Sequence, residues 1–145
     1  MKDRYAIIGC GRVAKVHIYH FVENGLKVVG ICDVSQKQID ETRKILNLNC
    51  NSYKDYRQMI VNEKPDIVSI ATNSGSHASL VKMAAKHKVP AILCEKPISE
   101  SIKHAEEMIK ICKQNKSLLF VNHQRRFDPL LQQWQRKIRN GLIGK

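Results

Sequence analysis

Five short apolar runs recur along the chain, at residues 5–9, 27–33, 66–72, 90–95 and 117–122. They are rich in Val, Ile and Leu, and they do not alternate with polar positions. A strand with one wet face alternates, whereas a strand covered on both faces does not. The runs therefore predict buried strands of a parallel sheet. A short polar stretch, residues 48–52, sits where a weak edge strand fits.

Helical spacing fills the gaps. Val13, Val16, His17, His20 and Phe21 fall on one face of a helix. Ser35 with Gln38 reads as a capping box opening a helix through Ile39 and Ile45. Ser52 with Asp55 resembles the acidic form of that box, ahead of Tyr56, Met59 and Ile60. A further helix is predicted from about His77 to His87, and another carries Ile102, Ala105, Ile109 and Cys112 on one stripe. Alternating strands and helices imply βαβ units with right-handed crossovers. The expected fold is α/β: a doubly wound, mainly parallel six-stranded sheet with helices on both faces. Residues 1–122 make up this unit. From 123 to 145 the pattern becomes a crossing segment and one helix. Pro129 opens that helix, Leu130, Leu131, Trp134 and Ile138 form its apolar face, and Gly141 ends it.

Composition narrows the function. The chain has 145 residues, enough for one domain with its own core. No apolar run approaches a membrane span, and the first one is too short for a signal-peptide core. The expectation is a cytoplasmic protein with no membrane partner. The five cysteines have no CxxC or other metal spacing, so reduced thiols and no metal site are expected. His17 and His20 lie three apart and lack further ligands. A net charge of +12 admits nucleic acid or an anionic ligand as partner. The charge is spread along the whole chain, which weighs against nucleic acid.

The chemistry concentrates where strands end. Gly9-Cys10-Gly11-Arg12-Val13-Ala14 is a G-x-G-x-x-A loop between a predicted strand and a predicted helix. In that setting Gly9 permits the turn and Gly11 lets a pyrophosphate approach the backbone. Ala14 keeps helix and strand close, and free N–H groups at the helix start meet the phosphates. Asp33 ends the second run, at about the distance of 20 residues expected for a ribose-binding carboxylate. A carboxylate there repels a 2′-phosphate, so NAD is favoured over NADP. The alternative is an aspartate that merely caps the next helix. Thr72, Asn73 and His77 follow the fourth strand and are candidates to line the same crevice. A polar loop with Ser76 as a helix cap explains them equally well. Glu95 and Lys96 end the fifth strand on the same side of the sheet, toward the nicotinamide end of such a cofactor. The last residues, Gly141–Lys145, lack the full spacing of a phosphate loop.

The stretches at 9–17 (GCGRVAKVH), 32–35 (CDVS), 71–77 (ATNSGSH), 94–97 (CEKP) and 123–129 (HQRRFDP) together resemble the N-terminal half of the glucose–fructose oxidoreductase / inositol dehydrogenase (Gfo/Idh/MocA) family. The resemblance implies a Rossmann-like domain and NAD(P)-dependent oxidation of a hydroxyl on a sugar, nucleotide sugar or cyclitol, or the reverse reduction. It implies that Lys96 is the catalytic lysine of a Glu-Lys-Pro motif, acting on the reacting hydroxyl. By the same resemblance Gly9, Gly11, Arg12, Val13, Ala14, Asp33, Thr72, Asn73, His77 and Glu95 contact the cofactor, with Glu95 near the nicotinamide ribose. His17 matches a helix histidine and is read as packing support. The family continues into a second domain that supplies most of the substrate pocket, and this chain does not contain one. The expectation is therefore that the chain is inactive alone.

Two other classes compete. One is a non-catalytic dinucleotide sensor or interaction module, for which Cys94–Pro97 would be superfluous. The other is a nucleic-acid binder, which lacks any wing, zinc spacing or aromatic sheet face. Without a covering domain, the apolar stripe of the last helix predicts self-association or a missing partner.

Overall fold

The computed structural model describes residues 3–144. Met1, Lys2 and Lys145 lie outside the described residues, so the last member of the Gly141–Lys145 stretch is not placed. The elements alternate: β1 (Arg4–Ile8), α1 (Arg12–Glu23), β2 (Lys27–Cys32), α2 (Gln36–Ile45), β3 (Asn51–Tyr53), α3 (Tyr56–Glu63), β4 (Ile67–Ile70), α4 (Ser74–Lys86), β5 (Ala91–Cys94), α5 (Ile102–Gln114) and β6 (Leu118–Val121). A 3₁₀ turn (Gln124–Phe127) and α6 (Pro129–Arg139) follow.

The six strands pair in the order β3-β2-β1-β4-β5-β6, every pair parallel. This is the doubly wound arrangement expected from the uninterrupted apolar runs, with the direction of winding across the sheet switching between β1 and β4. The weak strand at 48–52 forms as the edge strand β3, slightly later than expected.

Each face of the sheet has its own core. On one face Ala6, Ile8, Val68, Ile70, Ile92 and Cys94 pack against α3, α4 and α5. On the other, Tyr5, Ile7 and Ile31 pack against Ala14 and Ile18 of α1 and Ile39 of α2. Each fully buried aliphatic side chain contributes about 1.5–3 kcal/mol. The second face is only half covered. Leu93 alternates with Ile92 and Cys94, and so points to the α1 side, where no described helix lies over β5 and β6. Leu118 and Phe120 of β6 remain 62% and 56% exposed. The residues of α6 are exposed as well, including the stripe of Leu130, Leu131, Trp134 and Ile138.

That half-bare face explains why helix periodicity misplaced buried positions in α1; α2 and α5 differ from the expected stripe as well. In α1 the buried residues are Ala14, His17 and Ile18, while Val13, Val16 and His20 are exposed beside the bare sheet. In α2 the core contact after Ile39 is Thr42, and Ile45 is exposed. In α5 the stripe is centred on Met108 and Cys112, with Ile102 and Ile109 outside. Capping shifts two helix starts. Asp55, not Ser52, caps α3, accepting from Arg57 N at 2.8 Å. The predicted fourth helix begins three residues early, at Ser74, with Asn73 as its cap residue and not Ser76.

One turn holds the site end of the sheet together. Gly9 has φ +96°, and a Cβ there would lie 2.3 Å from the Ala71 carbonyl oxygen at the end of β4. Both the backbone and the space demand glycine. Gly9→Ala should therefore destabilise the fold by about 2 kcal/mol or more. Urea denaturation checks this; an unchanged midpoint would mean that the turn relaxes at no cost.

Candidate functional site

Two clefts at the carboxyl ends of the strands flank the first turn. The smaller, of about 440 Å³, is lined by Gly9, Gly11, Asp33, Val34, Lys54, Tyr56, Thr72 and Asn73, among others. Gly9 N–H donates to Cys32 O at 2.7 Å, and Cys10 N–H donates to Asp33 Oδ2 at 2.8 Å. Thr42 Oγ1 donates to Cys10 O at 2.9 Å from α2. The loop is thus tied to β2, α2 and β4 at once. Gly11 needs no unusual φ, and an added Cβ would meet nothing within 4 Å. Its role is openness: the backbone there can be approached. No side chain caps α1, so the N–H groups of its first turn remain available to an anion.

Asp33 is more than a helix cap. Ser35 caps α2, its hydroxyl accepting from Gln38 N at 3.4 Å. Asp33 Oδ1 instead accepts from Ser35 N and Oδ2 from Cys10 N, both at 2.8 Å. Each oxygen keeps a second lone pair, so the carboxylate is oriented by the backbone and can still accept from a ligand diol. Val34, beside it, is 87% exposed on the cleft wall. An apolar side chain so placed offers a flat base something to lie against. Lys54 and Tyr56 also reach this cleft, and no motif marked them. They arrive because β3 ends next to β2.

The larger cleft, of about 690 Å³, runs along α1. Its upper end carries Arg12, Val13, His17, Glu95, Lys96 and Asn122. Its lower end reaches Leu26 and Ile67, at the opposite ends of the strands. Only the upper end belongs with the chemistry; the remainder is the bare flank of the sheet. Arg12 and Val13 are exposed there, while Ala14 is buried against β1 as its spacer role requires.

Glu95 is 8% exposed. Its Oε1 accepts from His17 Nε2 at 2.8 Å and Asn122 Nδ2 at 2.6 Å, and its Oε2 accepts from Lys96 N at 3.2 Å. Burial pushes this carboxyl up. The hydrogen bonds from Asn122 and His17 outweigh burial and hold it below its ordinary value. His17 is therefore a polar partner of Glu95, not simply packing. Asn122, at the end of β6, went unremarked in the sequence. The signal for Asn122 lay in adjacency, since the ends of β5 and β6 must lie side by side; His17, on α1, had none. Lys96 is exposed at the rim.

His77 does not line the crevice as expected. It is 1% exposed and lines neither cleft. Because α4 starts at Ser74, His77 falls inside the first turn. There its ring nitrogens meet Pro97 O at 2.9 Å and Thr72 O at 3.2 Å. It links the loop after β4 to the loop after β5. Cys10 and Cys32 near the glycine turn are poor nucleophiles, since burial, then the nearby Asp33 charge, pushes both thiols up to about 12. Among the described residues no cluster of three or more His, Cys, Asp or Glu is arranged to hold a metal ion, and no helix is long and apolar enough to cross a membrane.

Known proteins share this sequence pattern and fold. D-apiose dehydrogenase of Paraburkholderia graminis is 32% identical over 140 residues, covering 96% of this chain and 37% of the relative. Myo-inositol 2-dehydrogenase of Thermotoga maritima is 29% identical, covering 98% of this chain and 42% of the relative. The chain thus spans about two-fifths of the length of these relatives. Among solved structures, the WlbA dehydrogenase of Bordetella pertussis, in complex with NADH and UDP-GlcNAcA, superposes with a TM-score of 0.90 at 26% identity. That match covers 100% of this chain and 44% of that one. An oxidoreductase of Agrobacterium radiobacter, in complex with NAD+, L-tartaric acid and magnesium, gives 0.88 at 29% identity, covering 100% and 42%. Residues 4–123 match the family model described as an oxidoreductase family with an NAD-binding Rossmann fold, and the chain belongs to this Gfo/Idh/MocA family.

Proposed function

We propose that this chain is the NAD-binding part of an oxidoreductase that moves hydride between a nicotinamide cofactor and a hydroxyl or keto carbon of a sugar, nucleotide sugar or cyclitol. The observation that carries the reading is the first turn. It joins a glycine that only glycine can occupy, an open Gly11, an uncapped helix start and a backbone-oriented Asp33. These residues fit a dinucleotide: the N–H groups of Arg12, Val13 and Ala14 face a pyrophosphate, and Asp33 accepts from the adenosine ribose. A bound nicotinamide supplies the hydride acceptor or donor. Relatives that act on apiose and inositol support the polyol class of substrate.

The chain's own residues have separate tasks in this reading. Asp33 excludes a 2′-phosphate by charge, so NAD is preferred over NADP. Thr72 and Asn73 close the crevice from the β4 side. Glu95 lies at the nicotinamide end. Lys96, exposed on the rim of the larger cleft, presents an ammonium to the reacting oxygen. In the reduction direction, hydride reaching the carbonyl carbon leaves an alkoxide, which the neighbouring ammonium stabilises and protonates, becoming a neutral amine; in oxidation the neutral amine takes the hydroxyl proton as the carbon gives up hydride. The proposed catalytic residue is Lys96.

Thermal-shift titration with NAD+ and NADP+ tests the cofactor assignment. At a hundredfold excess over Kd, NAD+ should stabilise the fold by about 2.7 kcal/mol, a rise of several degrees. NADP+ should do little. Asp33→Ala should abolish the NAD+ shift. It should also lower the melting point of the free protein, because Cys10 N and Ser35 N lose their acceptor, so the readout is the ligand-induced shift alone. A wild-type shift equal for both cofactors would remove the proposed role of Asp33.

Gly11→Ala separates binding from folding. With open space around it and a negative φ, the variant should keep its urea midpoint within about 0.5 kcal/mol of wild type. It should lose most NAD+ affinity, because the methyl group stands where the phosphates approach. Unchanged affinity, measured by calorimetry, would move the phosphates away from this turn.

A further inference from the structure

The buried group with the densest set of polar contacts in the larger cleft is Glu95, and its donors come from three elements. His17 reaches it from α1, Asn122 from the end of β6, and the Lys96 amide from the chain just beyond β5. An ionised carboxylate only accepts, so the hydrogen shared with His17 sits on Nε2. His17 Nδ1 is buried and has no partner among the described residues, which suits a lone pair better than an N–H. Asn122 Nδ2 lies 3.1 Å from His17 Nε2 and directs its hydrogen to Glu95 instead. The three side chains thus have one consistent hydrogen arrangement. Both strong bonds fall on Oε1. Oε2 has only the longer bond from Lys96 N, and it is the oxygen with capacity to accept from a ligand.

We propose that His17 is a positioning residue: with Asn122 it pins Oε1 of Glu95, fixing the carboxylate so that Oε2 can accept a hydroxyl from the nicotinamide half of a bound dinucleotide. The inference rests on the dinucleotide reading above, and deepens it by giving a task to two residues that touch neither end of the cofactor. Without His17, a half-filled set of bonds would leave burial to dominate, and Glu95 would take up a proton more readily. It would then rotate away from Oε1's donors. Arg12 and His20 of α1 and Lys96 line the same cleft, and no second carboxylate does among the described residues. The side chains of Arg12, His20 and Lys96 make no hydrogen bond to Glu95 that would fix its orientation.

Glu95 is held below its ordinary value in the folded protein. Its contribution is therefore present above the unfolded-state value and is lost as pH falls through the folded one. Removing the His17 donor should raise the folded value, so that the loss begins at higher pH.

Two readouts on the 145-residue chain test this. The first is a ¹³C-carboxyl NMR titration of Glu95 in wild type, His17→Leu and His17→Gln. The leucine variant should raise the Glu95 midpoint, and glutamine, which keeps an N–H donor, should return it most of the way to the wild-type position. The second is calorimetric titration with NAD+ and with ADP at pH 6. His17→Leu should weaken NAD+ about tenfold and leave ADP within about twofold, because ADP reaches only the Asp33 end. If the leucine variant does not fold, Asn122→Ala removes the other donor and should shift both readouts in the same direction. An unmoved midpoint in a folded variant, or equal losses for NAD+ and ADP, would overturn the positioning role while leaving the cofactor reading intact. A wild-type chain that binds neither NAD+ nor ADP would overturn both.

Discussion

The contact of Gly9 with the end of β4 is the constraint on which the rest of the site depends. A side chain at this position would collide with the Ala71 carbonyl, and only glycine adopts its φ without strain. Because the turn can press this closely, Gly9 N–H reaches Cys32 O and Cys10 N–H reaches Asp33. Thr42 then closes the circuit from α2. The glycine loop is therefore not a flexible flap over a pocket. It is a packed junction of β1, β2, β4 and α2, and its rigidity is what leaves the start of α1 pointing at empty space. A phosphate-binding turn needs that rigidity, since each N–H ordered in advance is one that a ligand does not have to order.

Carboxylates mark both ends of the proposed cofactor path, and they are held in different ways. Asp33 is oriented by two backbone N–H groups close by in sequence or across one strand pair. Glu95 is oriented largely by side chains from distant elements, His17 and Asn122. The first arrangement is local and follows almost automatically once the turn forms. The second requires α1, β5 and β6 to be in register. A disturbance of β6 should therefore be felt at Glu95 before it is felt at Asp33.

That difference also explains how much could be read from the sequence. The strands, their parallel pairing and the glycine turn are legible because each shows in short-range pattern: uninterrupted apolar runs, two glycines at fixed spacing, an acidic residue at the end of the next strand. Asp33 was placed correctly beside the turn for the same reason. His77 was misplaced because one cap residue decides it. A helix starting at Ser74 turns His77 inward, whereas a helix starting at His77 would have left it facing the crevice. Val13 and Val16 looked like core because helix periodicity records which positions share a face, not whether anything covers that face. The link between His17 and Glu95 was not legible, since 78 residues separate the two and only the completed sheet brings them within 2.8 Å.

Helix α1 connects these observations. Its first turn faces the phosphate path, Ala14 and Ile18 fasten it to the sheet, and His17, on the adjoining line of the same helix, reaches Glu95. One rigid element thus touches both the phosphate path and the Glu95 end of the proposed site. Its attachment is unequal, however: β1 and β2 support one flank, and the other borders the bare face over β5 and β6. On that flank the Glu95 cluster is the polar tie between α1 and the ends of β5 and β6, where apolar packing is thin. A hydrogen-bonded cluster there does more than orient a carboxylate. It fixes the width of the cleft at the place where the half-covered sheet resists its opening least.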